Sequence, residues 1–144
     1  MKHRIVTAAQ MKEIERAGNA HGLPYLQMME NAGLAAYTQL RARLPQGGAL
    51  LIVCGKGNNG GDGFVAADKL TEFFKTVYVY MPFGLPKTRR RSNAFEKMNK
   101  AVKITGDLAI LKDCDTVIDR LFGFSFHGDV NRQTGEIIRA VNLS

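Results

Sequence analysis

At 144 residues, 45% of them hydrophobic, the chain is the size of one domain with an ordinary core. Twenty Lys and Arg against 13 Asp and Glu leave a net charge of +7, which suits an anionic partner and equally a basic, solvated surface. Two cysteines, Cys54 and Cys114, without Cys-x-x-Cys spacing argue against a disulfide framework and for a reducing, cytoplasmic compartment; no apolar run reaches the ~18 residues of a membrane span.

In chain order, residues 1–6 read as an extended arm with no signal-type hydrophobic segment after it. Thr7 and Gln10 have capping-box spacing, so a helix is expected near Thr7, with Met11, Ile14 and Ala17 on one face. Pro24 suits the first turn of a second helix, about Tyr25 to Leu44. Its small residues Ala32, Gly33, Ala35 and Ala36 allow close approach to another element, and the polar pair Glu30 and Asn31 reads as exposed or capping. After the turn at Pro45 to Gly48, Leu50 to Cys54 is a continuous apolar run, the signature of a buried strand. Further strands are expected over Thr76 to Met81, Ala101 to Thr105 and Asp115 to Asp119. Helices are expected over Gly63 to Phe74, from Ser92 to about Lys100, and from Thr134 or Gly135 onward with Ile137, Ile138 and Val141 inward; Asp107 to Lys112 reads as a helical turn. Strands alternating with helices predict a parallel sheet covered on both faces.

The stretch after the first strand carries the chemistry. Gly55, Gly57, Gly60, Gly61 and Gly63 fall within nine residues, interleaved with Lys56, Asn58, Asn59 and Asp62. Strand, glycine loop and helix form a layout that binds phosphate through free N–H groups and the helix dipole. Gly55 to Gly60 matches G-x-G-x-x-G, but the next strand ends at Met81-Pro-Phe-Gly84 without the acid that holds a ribose. The loop closes with Gly60-Gly61-Asp62 instead of Gly-Lys-Ser/Thr, so it is no P-loop either. Two amides and a carboxylate suit a cation or a polar ligand; a tight turn without a ligand is the plainer alternative.

A second glycine-bearing loop runs from Asp119 through Leu121-Phe-Gly-Phe-Ser-Phe-His-Gly-Asp129. In doubly wound sheets ligands sit beyond the carboxyl ends of the strands. If the two strands are neighbours, Asn58, Asn59, Asp62, Asp119, Ser125 and Asp129 share one crevice. Phe122, Phe124 and Phe126 alternate as a strand edge would. His127 is either an acid–base group or a surface residue.

These residues resemble the YjeF N-terminal domain family of NAD(P)HX epimerases. The resemblance rests on Met29-Glu-Asn-Ala-Gly33, Gly55-Lys-Gly-Asn-Asn-Gly-Gly-Asp-Gly63 with Val65-Ala-Ala67, Asp119 followed by Leu121-Phe-Gly-Phe124, and the opening Thr7 to Glu15. It covers nearly the whole chain. It implies a three-layer α/β/α sandwich of Rossmann-like type, usually a homodimer, that interconverts the two epimers of hydrated NADH or NADPH. A partner NAD(P)HX dehydratase, fused in some natural chains, then restores the cofactor. Carried over to this sequence, Asn58, Asn59, Gly60, Gly61 and Asp62 bind substrate, as do Gly123, Phe124, Ser125, Phe126, His127, Gly128 and Asp129, the latter group at its phosphates. Asn59 and Asp119 hold a potassium ion.

The family continues past the equivalent of Asn142 into a strand ending in Asp-x-Pro-Ser-Gly, whose aspartate contacts the substrate ring. That motif is absent here, so the expectation is a domain cut short at its last strands, with Asp62 and Asp119 as the remaining catalytic carboxylates and activity reduced. The alternative is a non-catalytic nucleotide- or RNA-binding module of the same fold, with the basic run Lys87 to Arg91 on phosphate. Nucleic acid is the less favoured partner, because no aromatic-studded surface adjoins that run.

Overall fold

The computed structural model describes residues 5–44, 46–124 and 126–144. The elements run α1 (Ala8–Ala20), α2 (Tyr25–Arg41), β1 (Ala49–Cys54), α3 (Asn58–Leu70), β2 (Thr76–Tyr80), α4 (Arg89–Lys97), β3 (Lys103–Thr105), a 3-10 helix (Leu108–Asp113), β4 (Thr116–Arg120) and α5 (Arg132–Asn142). Every strand pairing is parallel, in the order β3-β2-β1-β4.

β1 is central, and its apolar run is buried on both faces, as the sequence predicts for an inner parallel strand. Leu50, Ile52 and Cys54 join Val77 and Val79 in a core closed by α2, α3 and α4. Leu51 and Val53 join Tyr80 in a second core closed by Leu111 of the 3-10 helix and Ile137 of α5. Burying a Leu, Ile or Val side chain fully contributes about 1.5–3 kcal/mol, so these two cores fix the strand order. The result is the expected α/β/α sandwich with a Rossmann-like sheet. Among the described residues the sheet ends at β4, with no later strand.

Several boundaries differ from the expectation. The helix after β1 starts at Asn58 rather than Gly63, so the Asn-Asn-Gly-Gly segment is its first turn and not a loop. Its glycines permit contact with the sheet: a Cβ on Gly60 would collide with the Gly55 carbonyl, and one on Gly63 would lie 2.8 Å from Cys54 Sγ. The basic helix has Thr88, not Ser92, at its N-cap position, without a side-chain capping bond, and ends at Lys97. The last helix opens at Arg132, with Asn131 accepting the Thr134 N–H at 2.9 Å.

The capping box forms at α1, where Gln10 N donates to Thr7 Oγ1 and Thr7 N donates to Gln10 Oε1. None of the residues of α1 is buried, however, and its expected apolar face leaves Ile14 exposed. α2 presses on α3 through Gly33, where a Cβ would lie 2.5 Å from Val65. Glu30 pairs with Lys97 Nζ at 2.8 Å and Asn31 accepts from Gln27, so this polar pair serves the surface. The run Lys87 to Arg91 is not one basic strip. Lys87 and Arg89 are exposed, Arg90 is half-buried over the Tyr25 ring, and Arg91 is 5% exposed in the core.

Candidate active site

β1 and β4 are neighbours, with Val53 opposite Asp119, so the segments leaving their carboxyl ends meet. They enclose a cleft of about 640 Å³. The first turn of α3 supplies Asn58, Asn59 and Asp62; the segment after β4 supplies Phe122, Gly123, Phe124 and Phe126. α2 adds Tyr25 and Met29, and Glu15 reaches in from α1. This volume is in the range that holds a small-molecule ligand. The N-cap of α3 is Gly57, which has no side chain to cap the helix, so its first N–H groups and positive dipole end are left for the cleft that Gly57, Asn58 and Asn59 line.

Three side-chain hydrogen bonds join the walls. Asn59 Nδ2 donates to the Phe122 carbonyl at 2.7 Å. Arg120, at the end of β4, passes beneath α3: its Nε donates to the Asn59 carbonyl at 3.2 Å and its Nη2 lies 3.1 Å from Asp62 Oδ2. Sequence reasoning passed over Arg120. The signal was the strand period, which puts Arg120 on the face of Ile118, toward α3, and Asp119 on the other. Asp62 is largely buried, and burial raises its carboxyl pKa to about 6, outweighing the opposing pull of Arg120; Glu15 adds a smaller upward push.

Behind the cleft, Arg91 Nη2 donates to the Gly55 carbonyl at 2.8 Å and its guanidinium sits 5.5 Å from the Phe64 ring centroid. Its Nε is buried with no hydrogen-bond partner among the described residues. Burial lowers its pKa. Cys54, 1% exposed, is the small core residue its position suggests, and burial pushes its thiol up to about 12.

The expected site residues divide. Asn58, Asn59, Asp62, Gly123, Phe124 and Phe126 line the cleft together. Gly60 and Gly61 are buried beneath it, Gly61 against the Met29 methyl and the Arg91 stem. Asp119 is exposed and off the cleft wall; its Oδ1 accepts the Leu121 N–H at 2.8 Å. His127, Gly128 and Asp129 are exposed and also off the wall. Ser125 lies outside the described residues. The alternating phenylalanines form no strand edge: Phe122 and Phe126 stack on each other at the rim, centroids 3.9 Å apart.

A family model described as YjeF-related protein N-terminus matches residues 25–144. An NAD(P)H-hydrate epimerase of Caenorhabditis elegans is 34% identical over 95% of this chain and 57% of its own length. One of Limosilactobacillus fermentum is 30% identical, covering 100% of this chain and 71% of the relative. A bifunctional NAD(P)H-hydrate repair enzyme of Coxiella burnetii is 31% identical over 92% of this chain, which spans 28% of that relative. The crystal structure of yeast ynu0 superposes with a TM-score of 0.72 at 21% identity, over 96% of this chain and 65% of that one, which establishes the likeness of fold. The parallel sheet, the glycine-rich start of α3 and these matches agree, and the chain belongs to the YjeF-related N-terminus family.

Proposed function

We propose that this domain epimerises hydrated NADH and NADPH, interconverting their R and S forms. The observation that carries the reading is 34% identity to an NAD(P)H-hydrate epimerase across 95% of the chain, with Asn58, Asn59 and Asp62 of the glycine-rich segment on one cleft wall. Inverting a hydroxylated ring carbon, by proton transfer or by reversible loss of water, needs a group that both gives and takes a proton near neutral pH. Asp62 suits that work: it faces the cleft, and its pKa of about 6 leaves both forms populated. We assign it ahead of Asp119, which is turned off the cleft wall. Asn58 and Asn59 orient the substrate, and Phe124 and Phe126 shield one side of it. The test is to give the chain one purified epimer of hydrated NADPH and follow the other by chromatography. Equilibration should outpace buffer; a rate equal to buffer, with dinucleotide binding intact, would refute the reading.

Potassium is part of the proposal. Asn59 turns its amide nitrogen to Phe122, which leaves Oδ1 without a partner among the described residues, and Asp119 keeps a second carboxylate oxygen beyond its bond to Leu121. Amide and carboxylate oxygens are the right donors for a hard cation. A bound ion there would steady the two segments and offset carboxylate charge. Potassium should raise thermal stability more than sodium, and Asn59→Ala should remove the difference.

The bifunctional relative supports coupling to a second repair step, which we propose is a dehydratase acting on one epimer. We further propose a homodimer in the cytoplasm. Two unpaired cysteines accord with that compartment, and no helix among the described residues is long and apolar enough to cross a membrane.

A further inference from the structure

Two cations stand at the cleft without a carboxylate. Lys56 Nζ lies 4.8 Å from the Phe83 ring centroid, and the Arg90 guanidinium lies 4.1 Å from that of Tyr25. All four residues line the cleft. They come from three places: Lys56 from the β1–α3 turn, Phe83 and Arg90 from the segment between β2 and α4 and the start of that helix, and Tyr25 from the first turn of α2. Neither cation enters an ion pair or side-chain hydrogen bond among the described residues, whereas Lys97 and Arg120 each hold a carboxylate.

We infer that Lys56 and Arg90 form an anion subsite that takes a phosphate group of the dinucleotide; the inference rests on the proposed substrate and adds the residues that hold its charged end. An aromatic face holds a cation weakly, by about 0.5–1 kcal/mol at exposed sites, and leaves its N–H groups free for a stronger acceptor. Stacking also restricts two long side chains in advance, so less rotamer entropy is lost when a phosphate arrives. Arg90 supplies a planar fork for two phosphate oxygens, and Lys56 a compact point charge. The opposing charges on the cleft are Glu15 and Asp62. Asp62 is held by Arg120, so Glu15 is the cleft carboxylate without an ion pair among the described residues, and its charge opposes an incoming anion.

The test is titration calorimetry on the whole chain with NAD, NADP and inorganic pyrophosphate, at low and at moderate salt. Charge-assisted contacts of this kind imply about a tenfold loss of affinity for Lys56→Gln and for Arg90→Gln. Glu15→Gln should tighten binding, and Lys87→Gln, off the cleft, should leave it unchanged. If NAD, NADP and pyrophosphate weaken together, the subsite holds the pyrophosphate. If NADP alone weakens, it holds the 2′-phosphate. Both results support the inference. Unchanged affinity in both cation variants overturns it, as does a wild-type chain that binds none of the three. Pyrophosphate binding that depends on the cations, without epimerisation of hydrated NADPH, would leave the subsite standing and remove the proposed substrate.

Discussion

Arg120 Nη2 lies 3.1 Å from Asp62 Oδ2, and the same guanidinium donates through Nε to the Asn59 carbonyl. One side chain at the end of β4 thus holds the carboxylate and the backbone of the first turn of α3. Even so, burial prevails over that cation and lifts Asp62 to a pKa of about 6 from an ordinary 3.8.

The pH dependence follows with a definite sign. A carboxyl whose folded pKa exceeds its unfolded one binds protons more tightly in the folded state. Its favourable contribution is complete below about pH 4 and is lost as pH rises through about 6. The full swing is about 3 kcal/mol, taking roughly 1.4 kcal/mol per pKa step. Asp62→Asn should flatten the change in unfolding free energy between pH 4 and 7, read by urea titration. The wild-type chain should show an inflection near pH 6 in kcat/KM for epimerisation, and the same variant should lose most of that activity.

Arg120→Met should expose a different balance. Without the guanidinium, the pull that lowers the Asp62 pKa disappears, so the inflection should move upward from about 6. Arg120→Lys should restore part of the charge while losing the bond to the Asn59 carbonyl, so its profile should fall between the two. A pH–rate series on the three proteins decides this.

Asn59→Ala removes the 2.7 Å bond that joins α3 to the segment after β4. The loss should be about 1 kcal/mol in urea unfolding, the usual net worth of one such bond. Activity should fall as well, because the two cleft walls lose one of the bonds that join them.

Arg91→Ala should be among the most destabilising single changes, by about 2–4 kcal/mol, since it leaves a buried Gly55 carbonyl without its donor and a void beside Phe64. Arg91→Met, which fills the void but cannot donate, should recover part of the loss. Equilibrium denaturation of both variants separates packing from hydrogen bonding.

Most of the fold could be read from the chain because its signals are local. The apolar run of β1, the Thr7–Gln10 box and the alternation of strand and helix each report on a few adjacent residues. The start of α3 was misplaced because glycine normally disfavours a helix interior. Here tertiary contact overrides that preference: a Cβ on Gly60 would collide with the Gly55 main chain, one on Gly63 would crowd the Cys54 sulfur, and one on Gly61 would displace the Met29 methyl. At the site, Asn58, Asn59 and Asp62 were legible because they cluster in the sequence. Arg120, Arg90 and Tyr25 were not, because their partners lie 58, 65 and 65 residues away, as in Arg120–Asp62 and Arg90–Tyr25. Asp119 and His127 stood out for their chemistry, but the direction of a side chain at a strand end or in a loop is set by packing that no short window contains.

The close approach at Gly55 has a mechanical consequence. A Cβ there would collide with the Leu121 carbonyl, and Gly55 N donates to the Arg120 carbonyl at 3.0 Å. Main chain lies directly on main chain, with no flexible side chain between to absorb displacement. The roots of the two cleft segments are therefore held in one fixed relation, and a change of side chain at Gly55 would push the whole segment after β4 away from α3. The width of the cleft at its base is thus set by main chain alone, as a doorway is set by its frame.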